Sequence, residues 1–196
     1  MTYLAANIIG AIPWLILFLS KKDLRKEMTL MGLLAMPISF FDLLYVPTYW
    51  VPTTLFNIPI GIEGFIFSFE IGGVTAAIFS QITNQIPVKI NSKLRLLSFS
   101  ALLCVLPVAF LFNYLFPINI AIGIQIGLLA GIILIYLLRK DLLKNLMLTG
   151  ASFGLLYFLS TAIWIFLFPE AKQWFTLVNL PHISLLNVPI YEIVFG

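Results

Sequence analysis

The sequence predicts an all-α integral membrane protein, and three observations support that prediction. The chain of 196 residues is 61% hydrophobic and only 10% charged, whereas a soluble domain is about half apolar and about a quarter charged. Its mean hydropathy is +1.07, which leaves too little polar surface to cover a soluble fold. The apolar runs are continuous and rich in Leu and Ile, which argues against the alternating strands of a membrane barrel.

Seven apolar segments divide this single transmembrane domain. A helix of about 20 residues crosses the ~30 Å hydrocarbon core of a bilayer. The last run reaches Gly196 after too few residues to do so, so the seventh segment is either a truncated helix, which we expect, or only a half-helix. Pro13, Pro37 and Pro107 lie inside segments and predict kinks. The segments cover approximately residues 3–19, 28–47, 62–82, 95–116, 119–138, 145–168 and 187 onward.

Basic residues predict the orientation of the chain. All of them except Lys172 fall in alternate loops, and the positive-inside rule makes those loops cytoplasmic. We therefore expect a multi-pass protein of the cell membrane with its N-terminus outside. The net charge of +3 is explained by these loops, so nucleic acid is not an expected partner. The inner basic residues are Lys21, Lys22, Arg25, Lys26, Lys89, Lys93, Arg95, Arg139, Lys140 and Lys144.

An internal repeat organises the segments. "KKDLRKEMTLMG" (21–32) aligns without gaps on "RKDLLKNLMLTG" (139–150), and "NIPI" (57–60) resembles "NVPI" (187–190). These matches predict two parallel three-helix repeats, residues 1–82 and 119–196, joined by a linker helix at 95–116. The alternative is that inner loops draw on the same few residue types.

Segment five also carries a stripe of small residues. Gly123, Gly127 and Gly131 recur every four residues, so they line one helix face. Such a face allows another helix to approach closely.

Four acidic residues fall in the outer halves of the predicted helices. Glu63 and Glu70 are seven residues apart in "IGIEGFIFSFEIGG" and share one face of segment three. Asp42 lies near the outer end of segment two, and Glu192 lies in the first turn of segment seven. Glu63 is also explained by the dipole of a helix start. Glu70 is also explained by a protonated acid bonded to a neighbouring helix.

Metal and cofactor chemistry has little support in the sequence. The single histidine, His182, lies in an outer loop, and the single cysteine, Cys104, lies in an apolar run. No glycine-rich phosphate loop, nucleotide motif or nucleophile elbow is present. We therefore expect neither a metal nor an organic cofactor.

Aromatic residues surround the acids in the sequence. Tyr45, Tyr49, Trp50, Phe65 and Phe67 belong either to an interfacial belt with ordinary helix packing or to the wall of an apolar pocket. In such a pocket, desolvation keeps a carboxyl group protonated and able to act as a general acid. Aromatic faces then stabilise the cation that results.

Two stretches resemble a known family. "IGIEGFIFSFEIGGVTAAIF" and "LLNVPIYEIVFG" are similar to the two motif helices of the lycopene cyclase domain family, small membrane carotenoid cyclases of the two-subunit bacterial type. That family carries a Pro-x-Glu-Glu/Asp motif at a helix start in each three-helix repeat. In the first copy here, Gly61 stands at the proline position, Glu63 matches the first acid and Gly64 replaces the second.

The second copy departs from the family motif in the complementary way. Pro189 is kept, Tyr191 replaces the first acid, and Glu192 matches the second. Each repeat therefore retains one acid of two.

The resemblance implies a redox-neutral cyclisation started by a proton. Its substrate would be the ψ-end of a linear carotenoid or a related isoprenoid, with no cofactor. It implies that Glu63 and Glu192 form the acid/base pair, that Asp42 and Glu70 tune or relay the proton, and that the five aromatic residues named above bind substrate. A second subunit or a homo-oligomer is compatible with this family.

Other functions fit the same plan of helices. A small membrane transporter with parallel repeats would use the outer acids to bind protons or cations, and a non-catalytic relative would use them for structure only. A seven-helix photoreceptor would need a chromophore lysine in segment seven, which the sequence lacks up to Gly196.

Overall fold

The computed structural model describes residues 2–83, 103–116 and 118–195, and this part of the chain is mostly helical. Helix accounts for 78% of the structure, with eight α-helices in the described ranges, so the predicted all-α class is confirmed. The helices are α1 (Thr2–Ser20), α2 (Arg25–Ala35), α3 (Asp42–Tyr45), α4 (Ile62–Thr83), α5 (Val105–Leu115), α6 (Ile120–Leu138), α7 (Leu143–Leu167) and α8 (Ile190–Phe195).

Four helical stretches are long and apolar enough to cross a membrane. They contain 19 to 28 residues each. The bounds of α1, α6 and α7 match those of predicted segments one, five and six within a few residues. Helix α4 matches segment three in the same way. The four stretches are Thr2–Ser20, Lys22–Tyr45, Ile120–Leu138 and Lys140–Leu167.

Segment two is interrupted at its proline. Helix α2 ends at Ala35, a 3₁₀ helix follows at Met36–Phe41, and α3 resumes at Asp42. Pro37 has no N–H to donate and its ring crowds the preceding turn, so an α-helix does not continue through it. The sequence predicted the kink but not the change of helix type, which makes Asp42 the first residue of a new helix.

The linker segment is described only in part. Helix α5 covers its second half, whereas the predicted start at residue 95 and the basic residues Lys89, Lys93 and Arg95 lie outside the described residues. Helix α5 packs closely on α6. A Cβ at Gly123 would lie 3.0 Å from the Ala109 carbonyl oxygen, which confirms the predicted close approach along the glycine face.

The start of segment seven differs from the prediction. A two-stranded antiparallel hairpin precedes the last helix, with β1 (Ser184–Leu185) paired to β2 (Val188–Pro189). Helix α8 therefore begins at Ile190, not near residue 187. The hairpin turns through Leu186 and Asn187, with φ values of 50° and 65°.

Helix α4 lies at the centre of the packing. It contacts α1, α2 and α7, while α8 contacts α6 and α7. At one end of these helices, the connector after α3 (residues 46–61) lies beside the segment after α7 (residues 168–183). Val51 N–H donates to Trp174 O at 2.7 Å, and Thr176 N–H donates to Tyr49 O at 3.0 Å.

Two matched pieces of the predicted repeat have the same local conformation. Lys22–Leu24 and Lys140–Leu142 are both short 3₁₀ helices leading directly into an α-helix. Asn57 and Asn187, at the start of the second match, both have positive φ values, of 52° and 65°. The likeness covers these connectors, and the two-repeat architecture stays a prediction.

Candidate functional site

A cavity of about 160 Å³ lies among α1, α3, α4, α6, α7 and α8. Two carboxylates, Asp42 and Glu192, line it, and none of its described lining residues is Lys, Arg or His. Nine of the other lining residues are aromatic. The aromatic lining residues are Tyr3, Phe41, Tyr45, Tyr49, Trp50, Phe67, Tyr157, Trp164 and Tyr191.

Glu192 is held by two tyrosine hydroxyls. It lies in the first turn of α8 with only 9% of its surface exposed. Tyr49 O–H donates to Oε1, and Tyr157 O–H donates to Oε2 at 2.5 Å. Tyr49 belongs to the connector after α3 and Tyr157 to α7, so both halves of the chain fix one carboxylate.

The connector fixes Tyr49 in turn. The Tyr49 N–H donates to Tyr45 O at 2.9 Å, and its carbonyl accepts from Thr176. Burial, followed by the nearby Glu192 carboxylate, raises the pKa of the Tyr49 hydroxyl above its usual range. Tyr49 therefore keeps its proton and remains a donor to Glu192.

Asn119 ties three segments together beside this connector. Its side-chain amide donates to the Thr48 and Val178 carbonyls at 2.9 and 2.7 Å. Its Oδ1 accepts from Ala121 N–H and so caps α6.

Asp42 faces the same cavity without a hydrogen bond to its side chain within the described residues. Gly64 of α4 lies directly beside it. A Cβ at position 64 would be 2.8 Å from Asp42 Oδ2, so the space next to Gly64 is already filled by this carboxylate.

Glu63 is not among the residues that line the cavity. Its side chain is fully buried and turns into the loop before α4, where Oε1 accepts from Leu55 N–H at 2.6 Å. Oε2 lies against Gly61 and has no hydrogen-bond partner among the described residues. The structure therefore does not bring the Glu63 carboxylate into the cavity that holds Glu192. Only the Glu63 backbone carbonyl faces α1, accepting from Asn7 Nδ2 at 3.1 Å.

Glu70 lines a second, smaller cavity of about 60 Å³. It is 7% exposed, and a Cβ at Gly10 would lie 3.2 Å from its Oε2. The two cavities share Gly10, Phe67, Tyr157 and Ser160 in their walls. Tyr157 therefore stands between Glu70's cavity and the Glu192 carboxylate.

The four predicted acids occupy three different local environments. Asp42 and Glu192 line the large cavity, Glu70 lines the small cavity beside it, and Glu63 turns into the loop before α4.

The predicted aromatic residues divide in the same way. Tyr45, Tyr49, Trp50 and Phe67 line the large cavity. Phe65 does not: its ring packs edge-on against Phe40, with ring centroids 5.5 Å apart.

Sequence reasoning missed the contribution of α7. Tyr157, Ser160, Thr161 and Trp164 all line the large cavity. Their spacing of three, four and seven residues marks one helix face. Two hydroxyl residues and two amphipathic aromatic residues on one face of an apolar helix are the signal that was available in "YFLSTAIW".

No metal site is apparent in the part of the chain that the structure describes. It has no group of three or more His, Cys, Asp or Glu side chains arranged to hold an ion. Comparisons with protein-family models, curated proteins and solved structures gave no match.

Proposed function

We propose that this chain is an integral membrane enzyme that cyclises an isoprenoid end group by a proton-initiated, redox-neutral reaction. Four helical stretches of suitable length and hydropathy support the membrane location. Large apolar side chains are exposed around the bundle, for example Phe166 at 83% and Leu34 at 63%. Lipid would cover these surfaces, with the N-terminus outside and the basic loops in the cytoplasm.

The large cavity is the observation that supports the reaction. It combines two carboxylates with nine aromatic lining residues and no basic lining residue in the described part of the chain. A cation formed there has aromatic faces and carboxylates to stabilise it. One carboxyl can deliver the first proton and the other can remove the last one.

We assign Asp42 the role of the second motif acid, which this chain lacks at position 64. The resemblance to lycopene cyclases expects an acid at position 64, where this chain has glycine. The Asp42 carboxylate lies against that glycine, 2.8 Å from the position of its absent Cβ. A carboxyl from α3 thus stands beside the place where the family has one on the motif helix.

The environments of the two carboxyls suggest their roles. Asp42 accepts no hydrogen bond in the described structure, and we assign it the proton donor. Glu192 accepts hydrogen bonds from two tyrosines, which hold both of its carboxyl oxygens at the cavity, and we assign it the proton acceptor. The Asp42 proton adds to the terminal double bond, the next double bond closes the ring, and Glu192 removes a ring proton.

Glu70 and Glu63 take other parts in this proposal. We assign Glu70 the relay of the proton that Glu192 takes up, across the wall formed by Tyr157 and Ser160. Glu63 organises the loop before α4 through Leu55 and does not touch substrate.

The cavity size limits what reacts inside it. A cavity of about 160 Å³ is comparable with the engineered cavity of ~150 Å³ that binds benzene. It suits one ring-sized end group, so the rest of a long polyene would lie outside it.

One observation favours a second candidate, a proton- or cation-coupled transporter. The smaller cavity extends the acidic region from Asp42 and Glu192 to Glu70. A transporter would accumulate its substrate across the membrane and would leave a linear carotenoid unchanged.

Expression in lycopene-accumulating cells tests the enzyme function. The full chain should give mono- or bicyclic carotenoids, and Asp42→Asn or Glu192→Gln should lower the cyclic yield by at least ~100-fold, the usual contribution of general acid–base catalysis. The matched controls Asp23→Asn and Glu170→Gln change exposed acids outside the cavity and should keep the yield. Unchanged lycopene with membrane-inserted, full-length protein would reject the proposal.

A further inference from the structure

The charge and the aromatic wall of the large cavity together define a ligand class. We propose that this cavity binds a stable organic monocation of single-ring size, such as a quaternary ammonium. This inference goes beyond the proposed reaction, because binding needs only the cavity and no proton transfer.

Charge is the first observation behind the proposal. Asp42 and Glu192 contribute two carboxyl groups, while the described lining residues contribute no basic side chain to neutralise them. The only ion pair in the described part of the chain, Arg139 with Asp141, involves neither of them. A positively charged ligand would supply the counter-charge of these carboxyl groups in their ionised form, which for Asp42 is the form left after it gives up its proton.

Ring geometry is the second observation. Tyr3, Trp50 and Trp164 line the cavity as a connected group, with ring centroids 5.7 Å apart for Tyr3–Trp50 and 5.9 Å apart for Trp50–Trp164. The Trp50 ring stands at 76° to Tyr3 and at 70° to Trp164. In each of these pairs the edge of one ring packs on the face of the other, which fixes the three rings in the cavity wall. A cation within ~6 Å of a Tyr or Trp face is attracted by the ring quadrupole.

A hydroxyl group in the cavity wall is the third observation. Thr161 lines the cavity, and none of the hydrogen bonds in the described part of the chain uses its side chain. Its hydroxyl oxygen can therefore accept from the water that accompanies a bound ligand.

Size and ligand set favour an organic cation over a metal ion. Metal ions need several oxygen ligands converging within ~2–2.6 Å, and no suitable group of three exists among the described residues. The volume of about 160 Å³ suits a single six-membered ring, by comparison with benzene in a ~150 Å³ cavity.

A pair of isosteric probes separates charge from shape. N,N-dimethylpiperidinium and 1,1-dimethylcyclohexane have the same shape and differ by one positive charge. The full chain in detergent is titrated with each probe, and binding is followed by tryptophan fluorescence, since Trp50 and Trp164 line the cavity. We expect the cation to bind at least ~10-fold more tightly than the neutral probe, the effect of a desolvated cation–π contact together with a carboxylate.

Carboxylate variants test the source of that preference. Asp42→Asn and Glu192→Gln should each reduce the preference for the cation by several-fold, whereas Asp23→Asn and Glu170→Gln should leave it unchanged. Asp42 is the more informative position, because it is only partly buried and its side chain forms no hydrogen bond in the described structure. Its replacement by Asn should therefore leave folding unaffected. Size-exclusion chromatography verifies that each variant is folded.

Three results would overturn the inference. They are equal affinity for the two probes, a preference unaffected by Asp42→Asn in folded protein, and displacement of the organic cation by sodium or potassium at the same concentration. The outcome is separable from the proposed reaction. Charge preference without cyclic product would reject the reaction alone, and cyclic product without charge preference would reject this site alone.

Discussion

Replacing Tyr157 by Phe removes one hydroxyl group and tests whether Glu192 is held from both sides. The hydroxyl donates to Glu192 Oε2 at 2.5 Å, within the range of charge-assisted bonds. Such bonds contribute ~1.5–3 kcal/mol in soluble proteins, but interhelical hydrogen bonds measured in a membrane protein average ~0.6 and reach ~1.7 kcal/mol. Because Glu192 is only 9% exposed, its oxygen would stay unpaired. We expect the variant to lose about 1–2 kcal/mol of unfolding free energy, at the upper end of the membrane range.

Thermal unfolding in detergent measures this loss. A chain of this size shifts by about 2–4 °C per kcal/mol, so the melting temperature should fall by roughly 2–8 °C for Tyr157→Phe. Tyr45→Phe is the matched control. Tyr45 lines the same cavity, but its hydroxyl forms no hydrogen bond in the described structure, and its removal should shift the melting temperature by less than about 2 °C.

Coupling to Glu192 decides whether the interaction is specific. In a Glu192→Leu background the Tyr157 hydroxyl has lost this acceptor, so Tyr157→Phe should there cost less than about half of its value in the native chain. An equal cost in both backgrounds, or an equal loss in Tyr45→Phe, would refute the proposed pairing.

Three further predictions concern residues outside the carboxylate pair. Glu63→Gln should keep cyclisation, because the side chain lies outside the large cavity and an amide oxygen still accepts from the loop N–H, whereas Glu63→Leu should cost ~1–3 kcal/mol in thermal unfolding. A large loss of product in a stable Glu63→Gln would return this residue to the reaction. Gly127→Val should lower the unfolding free energy by ~1–3 kcal/mol, because its Cβ would meet the backbone of α5. The control Gly150→Ala has open space around it and should be neutral or stabilising. Similar effects of the two substitutions would contradict the close packing of α5 on α6. Asn119→Ala should lower the unfolding free energy by ~1–3 kcal/mol, because buried carbonyls lose a donor. It should also lower the cyclic yield more than the control Asn145→Ala does. Equal yields would show that Asn119 does not hold the connector in place.

Helices were the most predictable feature of this chain. Helices α1, α4, α6 and α7 follow the apolar runs because a helix satisfies its own backbone within such a run. The glycine face of α6 was also foreseeable, because four-residue spacing places Gly123 and Gly127 on one side whatever lies opposite. Pro37 marked the break in segment two for an equally local reason.

The partners of the acids could not be predicted, because they come from distant parts of the chain. Tyr157 meets Glu192 across 35 residues and Tyr49 meets it across 143. Asp42 meets Gly64 across 22 residues, through the packing of the segment around α3 on α4. The sequence indicated which residues were costly to bury, whereas tertiary packing determined what each one faces.

The two motif acids illustrate this difference most clearly. Glu63 and Glu192 each lie in the first turn of a helix that follows an asparagine with positive φ. Before α4 the loop lies over the helix start, and the Leu55 N–H donates a hydrogen bond to the Glu63 carboxylate. Before α8 the chain pairs with itself in a hairpin, and two tyrosines bind Glu192 at the cavity instead. The two retained motif acids therefore differ in their chemistry. A reaction that needs one acid and one base benefits from carboxyls in different environments, which is the arrangement that Asp42 and Glu192 provide.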